Sequence, residues 1–426
     1  MFRTSLPVLI LRLALFLPLF FFGCVSCVIQ QYISILFYGH GPKSWLYINK
    51  TRSQFVVIMT FLTQIVNPCK ISITYDQDLI PPGAFKVDMK NNLHLILTPN
   101  SIVIGNHQIY IDWLFLWWIA YTSRLSDSIY IVMKDLSKLP LLGYGMTNFN
   151  FLFLSRKWEK DKVKLTNQLL EIDANARGLG PACGESHVSA TNIRDGDAPE
   201  TSSVFHWPKG HRSSNMLPYQ VILYPEGTVI LPHTRERLAK FCQDRGLPVL
   251  KHVLLPRIRG LFLALRKLRN TVEVVYDVTC GYDGLRPDQY GEDEFTLKQI
   301  YLRGNGPKKV SYYIKAWKIK DIPLGAETVD IDDVSPADFA KFEEWLFKIW
   351  YEKDTLMANF YQYGSFVDPM SSSTNTIEKA RSTTVVADFK IRSVWELFPV
   401  YLPLVLVALL LLVALWGAVT LIRWLF

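Results

Sequence analysis

An apolar run near the end of the chain, 404–422, most constrains how this sequence can fold. It contains no charged residue, and about 20 apolar residues in a helix are enough to cross the hydrocarbon core of a bilayer. Trp395 and Tyr401 precede the run and Trp424 follows it, which fits the aromatic belts at the two membrane interfaces. The sequence therefore predicts a C-terminal transmembrane segment within 393–426.

The N-terminal region is a second apolar stretch. Residues 6–38 are nearly all apolar and are broken by Arg12, Gln30 and Gln31. A cleaved signal peptide is the competing interpretation, but its apolar part spans only about 7–15 residues and ends at a small-residue cleavage site. The stretch is longer and has no clear site of that kind, so the sequence favours an uncleaved membrane anchor over 1–45.

The chain is basic, with 426 residues and a net charge of +8. A positive balance suits nucleic acid or an anionic membrane surface, and the two apolar ends favour the membrane and not nucleic acid. Lys43, Lys50 and Arg52 follow the first apolar stretch, and Lys390 and Arg392 precede the last. The positive-inside rule then places the central region in the cytosol.

An endoplasmic reticulum membrane is favoured because the N-terminus is apolar and not an arginine-rich amphipathic leader. The mitochondrial outer membrane and the lipid droplet are the alternatives. The six cysteines show no metal-like spacing beyond the pair Cys24 and Cys27, which lies in the apolar run without a nearby histidine. We expect them to be reduced, as in a cytosolic domain.

Strand-like and helix-like segments alternate between the apolar ends, which predicts an α/β domain with a central mixed sheet flanked by helices. The strand-like segments are 70–75, 92–97, 101–105, 128–133, 149–156, 221–224, 271–279 and 310–319, and the helix-like segments are 53–66, 113–120 and 161–176. We assign this domain to 50–366. Residues 178–216, rich in Gly, Ser, Asp, Asn and Pro, are predicted to form a flexible insertion, and 367–392 a linker.

His107 and Asp112 lie where a predicted strand ends and a predicted helix begins. Reactive side chains are commonly displayed at such junctions. A carboxylate there can hold an imidazole in one tautomer and stabilise its protonated form. Such a histidine can act as a general base on a hydroxyl or a water. A His-x4-Asp pair also occurs by chance on protein surfaces without chemical function, so the rest of the chain has to decide between the two interpretations.

A second candidate site is the turn Glu226, Gly227 and Thr228, which follows the apolar run 221–223. A carboxylate, a glycine and a hydroxyl in a tight turn after a strand can direct backbone N–H groups toward an anion. Thr228 is equally suited to cap a following helix, and the four residues from Pro225 to Thr228 also fit an ordinary turn.

Two further segments that contain an arginine complete the candidate site residues. Arg156 follows a predicted strand, where its fork of N–H groups suits a phosphate or a carboxylate, although a solvated loop charge is the simpler interpretation of this residue alone. Pro256 and Arg257 follow the apolar run 253–255. They could line an acyl channel beside a cation that meets a phosphate-rich donor, and taken alone they indicate only a strand and a turn.

In chain order the four pieces are Asn106-His107 with Asp112, then Ser155-Arg156, then 224–228, then Pro256-Arg257. In this order they resemble the motifs of the glycerolipid acyltransferases, the 1-acylglycerol-3-phosphate acyltransferase family. They are most similar to the eukaryotic branch that includes the lysocardiolipin acyltransferases. The resemblance covers most of 50–366. Each piece alone is weak evidence, and the four together in one order are highly specific.

The resemblance implies transfer of a fatty acyl group from acyl-CoA to a free hydroxyl of a lysophospholipid, without a covalent acyl-enzyme. His107 would deprotonate that hydroxyl, and Asp112 would orient His107 and balance its charge. Acyl-CoA would be a co-substrate, with neither a cofactor nor a metal. The bilayer would be the other partner, and no protein partner is indicated.

The resemblance also implies the binding residues. Arg156 and the turn of Glu226, Gly227 and Thr228 would position the phosphate and glycerol of the acceptor. Pro256 and Arg257 would contact the acyl donor.

The sequence departs from the family pattern at two positions. Many relatives have an arginine directly after Glu-Gly-Thr, where this chain has Val229, and many have an aspartate where it has Ser155. The first change removes a cation suited to phosphate. A simple lysophosphatidic acid acceptor is then less favoured than a lysolipid with a larger head group, such as lysophosphatidylinositol.

Arg235 and Arg237 are possible substitutes for the missing cation, although the sequence does not place them at the site. The alternative function is a membrane-anchored lipid-binding or lipid-transfer protein with a degenerate site. A serine hydrolase is disfavoured, because the chain has no Gly-x-Ser-x-Gly elbow.

Overall fold

A computed structural model describes residues 5–155, 157–187, 204–212, 216–326, 332–367 and 382–425. The α-helices are α1 (Leu6–Tyr38), α2 (Pro42–Val66), α3 (Asp112–Thr122), α4 (Leu142–Asn148), α5 (Trp158–Ala176), α6 (Pro232–Arg245), α7 (Ile258–Lys267), α8 (Gly291–Glu294), α9 (Pro336–Tyr363) and α10 (Phe398–Leu425). The strands are β1 (Lys70–Asp76), β2 (Phe85–Val87), β3 (Leu93–Leu95), β4 (Ser101–Gly105), β5 (Ile129–Lys134), β6 (Leu152–Leu154), β7 (Gln220–Leu223), β8 (Val274–Tyr282), β9 (Lys309–Lys318) and β10 (Ser382–Asp388).

The central sheet has the strand order β10-β1-β9-β8-β4-β7-β5-β6. The five strands from β8 to β6 in this order run parallel to their neighbours, whereas β9 is antiparallel to β8 and β10 is antiparallel to β1. The mixed sheet flanked by helices confirms the predicted α/β class. Strands β2 and β3 form a separate hairpin.

The strand β4 lies in the middle of the sheet and is buried on both faces. Since side chains alternate along a strand, Val103 belongs to one hydrophobic core together with the aromatic helix α3. Ile102 and Ile104 belong to the other core, with residues of α5, α7 and α9. Helices on both faces explain why β4 is a continuous apolar run, and they hold its carboxyl end in a fixed position.

The two apolar ends form helices that are long and apolar enough to cross a membrane, Leu6–Tyr38 and Val394–Trp424. Leu410, Leu412 and Val413 of α10 are 62–68% exposed, and an exposed apolar surface of this extent needs a nonpolar partner. Together the two helices indicate association with a membrane. Near its N-terminus α10 packs on α1, where the Tyr401 hydroxyl donates to the Leu19 carbonyl at 2.8 Å.

The interface between α1 and α2 contains polar side chains within an otherwise apolar contact. Gln30 and Gln54 exchange two amide hydrogen bonds of 2.8 and 3.1 Å, and Gln31 donates to the Thr51 hydroxyl at 3.0 Å. Arg52 of α2 is fully buried and donates to the carbonyl of Phe149 at 2.7 Å. Arg52 is thus part of the protein interior and does not flank the membrane as the sequence analysis assumed.

The linker predicted over 367–392 is wrong for 382–388, which form β10 and pair with β1 along seven residue pairs. Its sequence of small and β-branched residues gives a weak strand signal, and the pairing partner is about 300 residues away in the chain. Of the predicted insertion 178–216, residues 188–203 and 213–215 lie outside the described residues. The described part includes a short 3-10 turn at Pro181–Cys183.

Candidate active site

The segment that carries His107 begins where β4 ends, at the edge formed by the carboxyl ends of the parallel strands. Asn106 follows Gly105 and is fully buried. Its side-chain amide accepts the Cys280 N–H at 2.7 Å and donates to the Cys280 carbonyl at 3.0 Å. This pair of bonds continues the pairing of β4 with β8 by one residue, so that His107 leaves the sheet at a fixed point.

His107 and Asp112 are in direct contact, as the sequence analysis predicted. Nδ1 of His107 lies 2.7 Å from Oδ2 of Asp112, and the side chains are 18% and 2% exposed. The same carboxylate oxygen accepts the backbone N–H of Gln108 at 2.7 Å and of Ile109 at 3.2 Å. The Tyr282 hydroxyl donates to the other oxygen.

These four donors hold Asp112 in one orientation as an acceptor. A carboxylate that accepts from Nδ1–H fixes the tautomer in which Nε2 carries the lone pair. Nε2 of His107 is therefore the nitrogen available to take a proton from a substrate.

The imidazole is held from one side by Tyr224. The two rings are stacked, with centroids 4.5 Å apart and an interplanar angle of 21°. The stacked ring limits rotation of the His107 imidazole.

Glu226 lies beneath His107 and is only 3% exposed. Its Oε2 accepts the backbone N–H of His107 at 3.3 Å, and its Oε1 accepts Nε1–H of Trp350 at 3.1 Å. Burial raises the pKa of Glu226 to about 8, although these donors and Lys353 act in the opposite direction. The carboxyl thus supports the His107 backbone, and its predicted part in acceptor binding stays a prediction.

Gly227 and Arg257 pack against each other at the edge of the site. Gly227 has a φ of 71°, which favours glycine, and a Cβ there would lie 3.2 Å from Nε of the Arg257 side chain. The Arg257 N–H donates to the Pro225 carbonyl at 2.8 Å, which joins the two predicted motifs through the main chain. Arg257 is exposed and Pro256 is buried.

Thr228 is half-buried directly after Gly227. Arg156, the remaining predicted site residue, lies outside the described residues. Val229 is 2% exposed and packs inside the protein, so the position at which many relatives have arginine does not contribute a cation here.

The structure adds residues that the sequence analysis did not assign to the site. Lys353 of α9 is 1% exposed and donates to the Val278 carbonyl at 2.7 Å. It also forms an ion pair with Asp277. Trp350 lies one turn before it and reaches Glu226. No local pattern in the sequence analysis placed these residues at the site.

The part of the chain that the structure describes contains no cluster of three or more His, Cys, Asp or Glu residues arranged to hold a metal ion.

Comparison with known proteins adds to the geometry. A family described as Acyltransferase matches residues 85–282, which include His107, Asp112 and Glu226. We found no solved structure that matches the chain.

The 2-acyl-1-lysophosphatidylinositol acyltransferase of Saccharomyces cerevisiae is 38% identical over 90% of this chain and 94% of its own length. Lysocardiolipin acyltransferase 1 of Gallus gallus is 24% identical over 89% and 80%. Human 1-acyl-sn-glycerol-3-phosphate acyltransferase delta is 27% identical over 63% and 54%. The contact of His107 with Asp112 agrees with these relatives, and the chain belongs to the glycerolipid acyltransferase family, as an enzyme that transfers acyl groups.

Proposed function

We propose that this protein transfers a fatty acyl group from acyl-CoA to a free glycerol hydroxyl of a lysophospholipid. The observation that carries the proposal is the contact of His107 with the fully hydrogen-bonded Asp112, which leaves Nε2 as a base. Lysophosphatidylinositol is the favoured acceptor, because the relative with 38% identity along nearly its whole length is named for that substrate.

In the proposed reaction Nε2 of His107 takes the proton of the acceptor hydroxyl as its oxygen attacks the thioester carbonyl. The C–S bond of the tetrahedral intermediate then breaks, and the CoA thiolate takes the proton from His107. Asp112 stabilises the imidazolium that exists between the two proton transfers. No acyl group is attached to the protein at any stage.

The remaining motif residues surround this step. Arg156, together with the turn of Glu226, Gly227 and Thr228, would position the phosphate and glycerol of the acceptor. Pro256 and Arg257 would contact the acyl donor. Holding hydroxyl and thioester together supplies much of the rate, since well-oriented groups gain up to about 7–11 kcal/mol. We place the enzyme in the endoplasmic reticulum membrane, with the site on the cytosolic side.

The test compares two histidine variants of the full-length protein in membranes. His94 on β3 also contacts an aspartate, with Nε2 3.0 Å from Asp88, but its side chain is 56% exposed. We expect His107→Ala to lower acyl-CoA-dependent acylation by about 10²–10⁴-fold and His94→Ala to leave it unchanged. Release of free CoA with a panel of lysophospholipids is the measurement.

Wild-type turnover in folded His107→Ala would contradict the role of the base. Binding of lysophospholipid by the wild type without any acylation would favour a lipid-binding protein instead.

A further inference from the structure

A group of polar side chains lies beside His107 and is not used by the proposed proton transfers. It is formed by Gln108, Tyr361, His252, Arg235 and Tyr290, and we call it the Arg235 cluster. Gln108 directly follows His107, and its Nε2 lies 3.5 Å from the Tyr361 hydroxyl. The Tyr361 ring in turn contacts the His252 ring, with centroids 5.1 Å apart.

Arg235 is held in this cluster by two other elements. Its guanidinium lies over the Tyr290 ring, 5.4 Å from the centroid, and its Nη2 donates to the Lys251 carbonyl at 2.8 Å. The next residue after Tyr290 is Gly291, where a Cβ would lie 2.8 Å from the Gln108 carbonyl oxygen. Arg235 is therefore fixed against the segments that border Gln108 and His252.

Two buried polar atoms in the cluster have no hydrogen-bond partner among the described residues. They are Oε1 of Gln108 and Nδ1 of His252, and Gln108 is only 3% exposed. The nearby backbone N–H groups of 251–253 do not donate to these two atoms, because all three donate to the Asp354 carboxylate. Unpaired buried acceptors cost free energy, so these atoms point to a ligand with several hydroxyl groups.

The charges in the cluster suit a phosphate beside those hydroxyls. Burial lowers the pKa of His252, as do the charges of Arg235 and Lys251, whereas Asp354 raises it. A neutral imidazole binds a hydroxyl better than an anion, and Arg235 remains as the cation. A phosphate bound to an arginine forms charge-assisted hydrogen bonds, commonly two in parallel.

We propose that Arg235 binds the phosphate of the lysophospholipid acceptor and that Gln108, Tyr361 and His252 bind the hydroxyls of a polyol head group attached to it. This inference rests on the proposed function and deepens it. Arg235 supplies the cation that Val229 does not, from a position six residues further along the chain on α6.

The first experiment measures steady-state kinetics of the full-length enzyme in membranes. We expect Arg235→Ala to raise the KM for lysophosphatidylinositol by roughly tenfold or more, as loss of a charge-assisted hydrogen bond implies. The KM for acyl-CoA and kcat stay near wild type, and Arg235→Lys restores part of the affinity. The matched control is Arg237→Ala, an exposed arginine on the same helix, which should change nothing.

The second experiment separates phosphate from polyol. Lysophosphatidic acid carries the phosphate alone, and its inhibition constant as a competitor is measured for each variant. Arg235→Ala should weaken the binding of lysophosphatidic acid as much as the binding of lysophosphatidylinositol. Tyr361→Phe and His252→Ala should weaken only the binding of lysophosphatidylinositol.

An unchanged acceptor KM in active, folded Arg235→Ala would overturn the inference. A rise confined to the KM for acyl-CoA would also overturn it, because it would assign Arg235 to the phosphates of CoA. Either result leaves the proposed function intact. That function fails separately if the wild type acylates no lysophospholipid.

Discussion

At the scale of single residues, Glu226 makes contacts that its sequence pattern did not indicate. The Glu-Gly-Thr pattern suggested a side chain directed at the acceptor, and the structure adds that both carboxyl oxygens accept hydrogen bonds inside the protein. One of these bonds comes from the backbone of His107 and the other from the Trp350 indole. Glu226 is therefore a link between the His107 segment and α9.

The raised pKa of Glu226 predicts a pH dependence of stability. Burial raises this pKa from 4.5 to about 8, so the folded state binds a proton that the unfolded state has released above pH 4.5. By linkage the free energy of unfolding falls as pH rises from about 4.5 to 8. The Glu226→Gln variant is uncharged at every pH. We therefore expect its free energy of unfolding to fall less than that of the wild type over this pH range, as measured by thermal unfolding in detergent.

The glutamine variant also tests the hydrogen bonds. In this variant the amide NH2 takes the place of one carboxyl oxygen and faces an N–H donor, so that one hydrogen bond is lost. The variant should therefore be less stable than the wild type at acidic pH by about 1–3 kcal/mol. If the free energy of unfolding had the same slope against pH in both proteins between pH 5 and 8, Glu226 would already be ionised in the folded state.

The His107–Asp112 contact shows how far residue-level reasoning reached. His107 and Asp112 lie five positions apart, between a strand end and a helix start, and this local spacing was enough to predict their contact. Tyr282, Trp350 and Lys353 could not be found in this way, because they reach the site from β8 and α9 through tertiary packing.

At the scale of elements, the end of β4 determines the position of His107. Asn106 replaces a strand residue with its side-chain amide and pairs with both main-chain groups of Cys280. The strand thus stops at Gly105 without leaving the main chain of β8 unpaired at that point.

We expect Asn106→Ala to destabilise the protein by about 1–3 kcal/mol for each main-chain group left unpaired and to reduce kcat, because His107 is the next residue. Asn106→Asp keeps the acceptor for the Cys280 N–H and loses the donor, so an intermediate effect should follow. Thermal unfolding and acylation rate are measured together. Full activity in Asn106→Ala would show that the local turn alone positions His107.

The elements predicted with good accuracy are those with a strong local pattern, such as β1, β4, β8 and β9. The strand β10 was missed, because an edge strand of small and polar residues is stable only through its pairing with β1. Helix α7 was also missed, since the sequence before it, with Pro256, indicated only a strand and a turn.

At the scale of the whole molecule, the two apolar ends are both connected to the α/β domain. The helix α1 packs on α2 through paired glutamines, and α10 contacts α1 through Tyr401. The membrane segments were predictable from composition alone, but their contacts with each other were not, because helix pairing depends on single polar side chains far apart in the sequence.

An arginine in the middle of α10 should prevent the C-terminus from crossing the membrane. The cost at a helix centre is about 2.5–3.5 kcal/mol and decreases toward the ends. With the domain in the cytosol, a glycosylation tag fused after residue 426 should be modified in the wild type and much less in Leu411→Arg. Ile422→Arg, beside Arg423, is the control. Equal glycosylation of the wild type and Leu411→Arg would contradict a spanning α10.

The short connection between β10 and α10 ties the sheet to the C-terminal apolar helix. The Trp118 Nε1–H donates to the Lys390 carbonyl at 2.9 Å, and the Arg392 N–H donates to the Tyr121 hydroxyl at 2.8 Å. Trp118 and Tyr121 belong to α3, the helix that begins at Asp112. These bonds fix the position of the His107–Asp112 pair relative to the C-terminal apolar helix. If that helix lies in a membrane, the distance between His107 and the membrane surface is a property of the fold and does not vary from one substrate to the next.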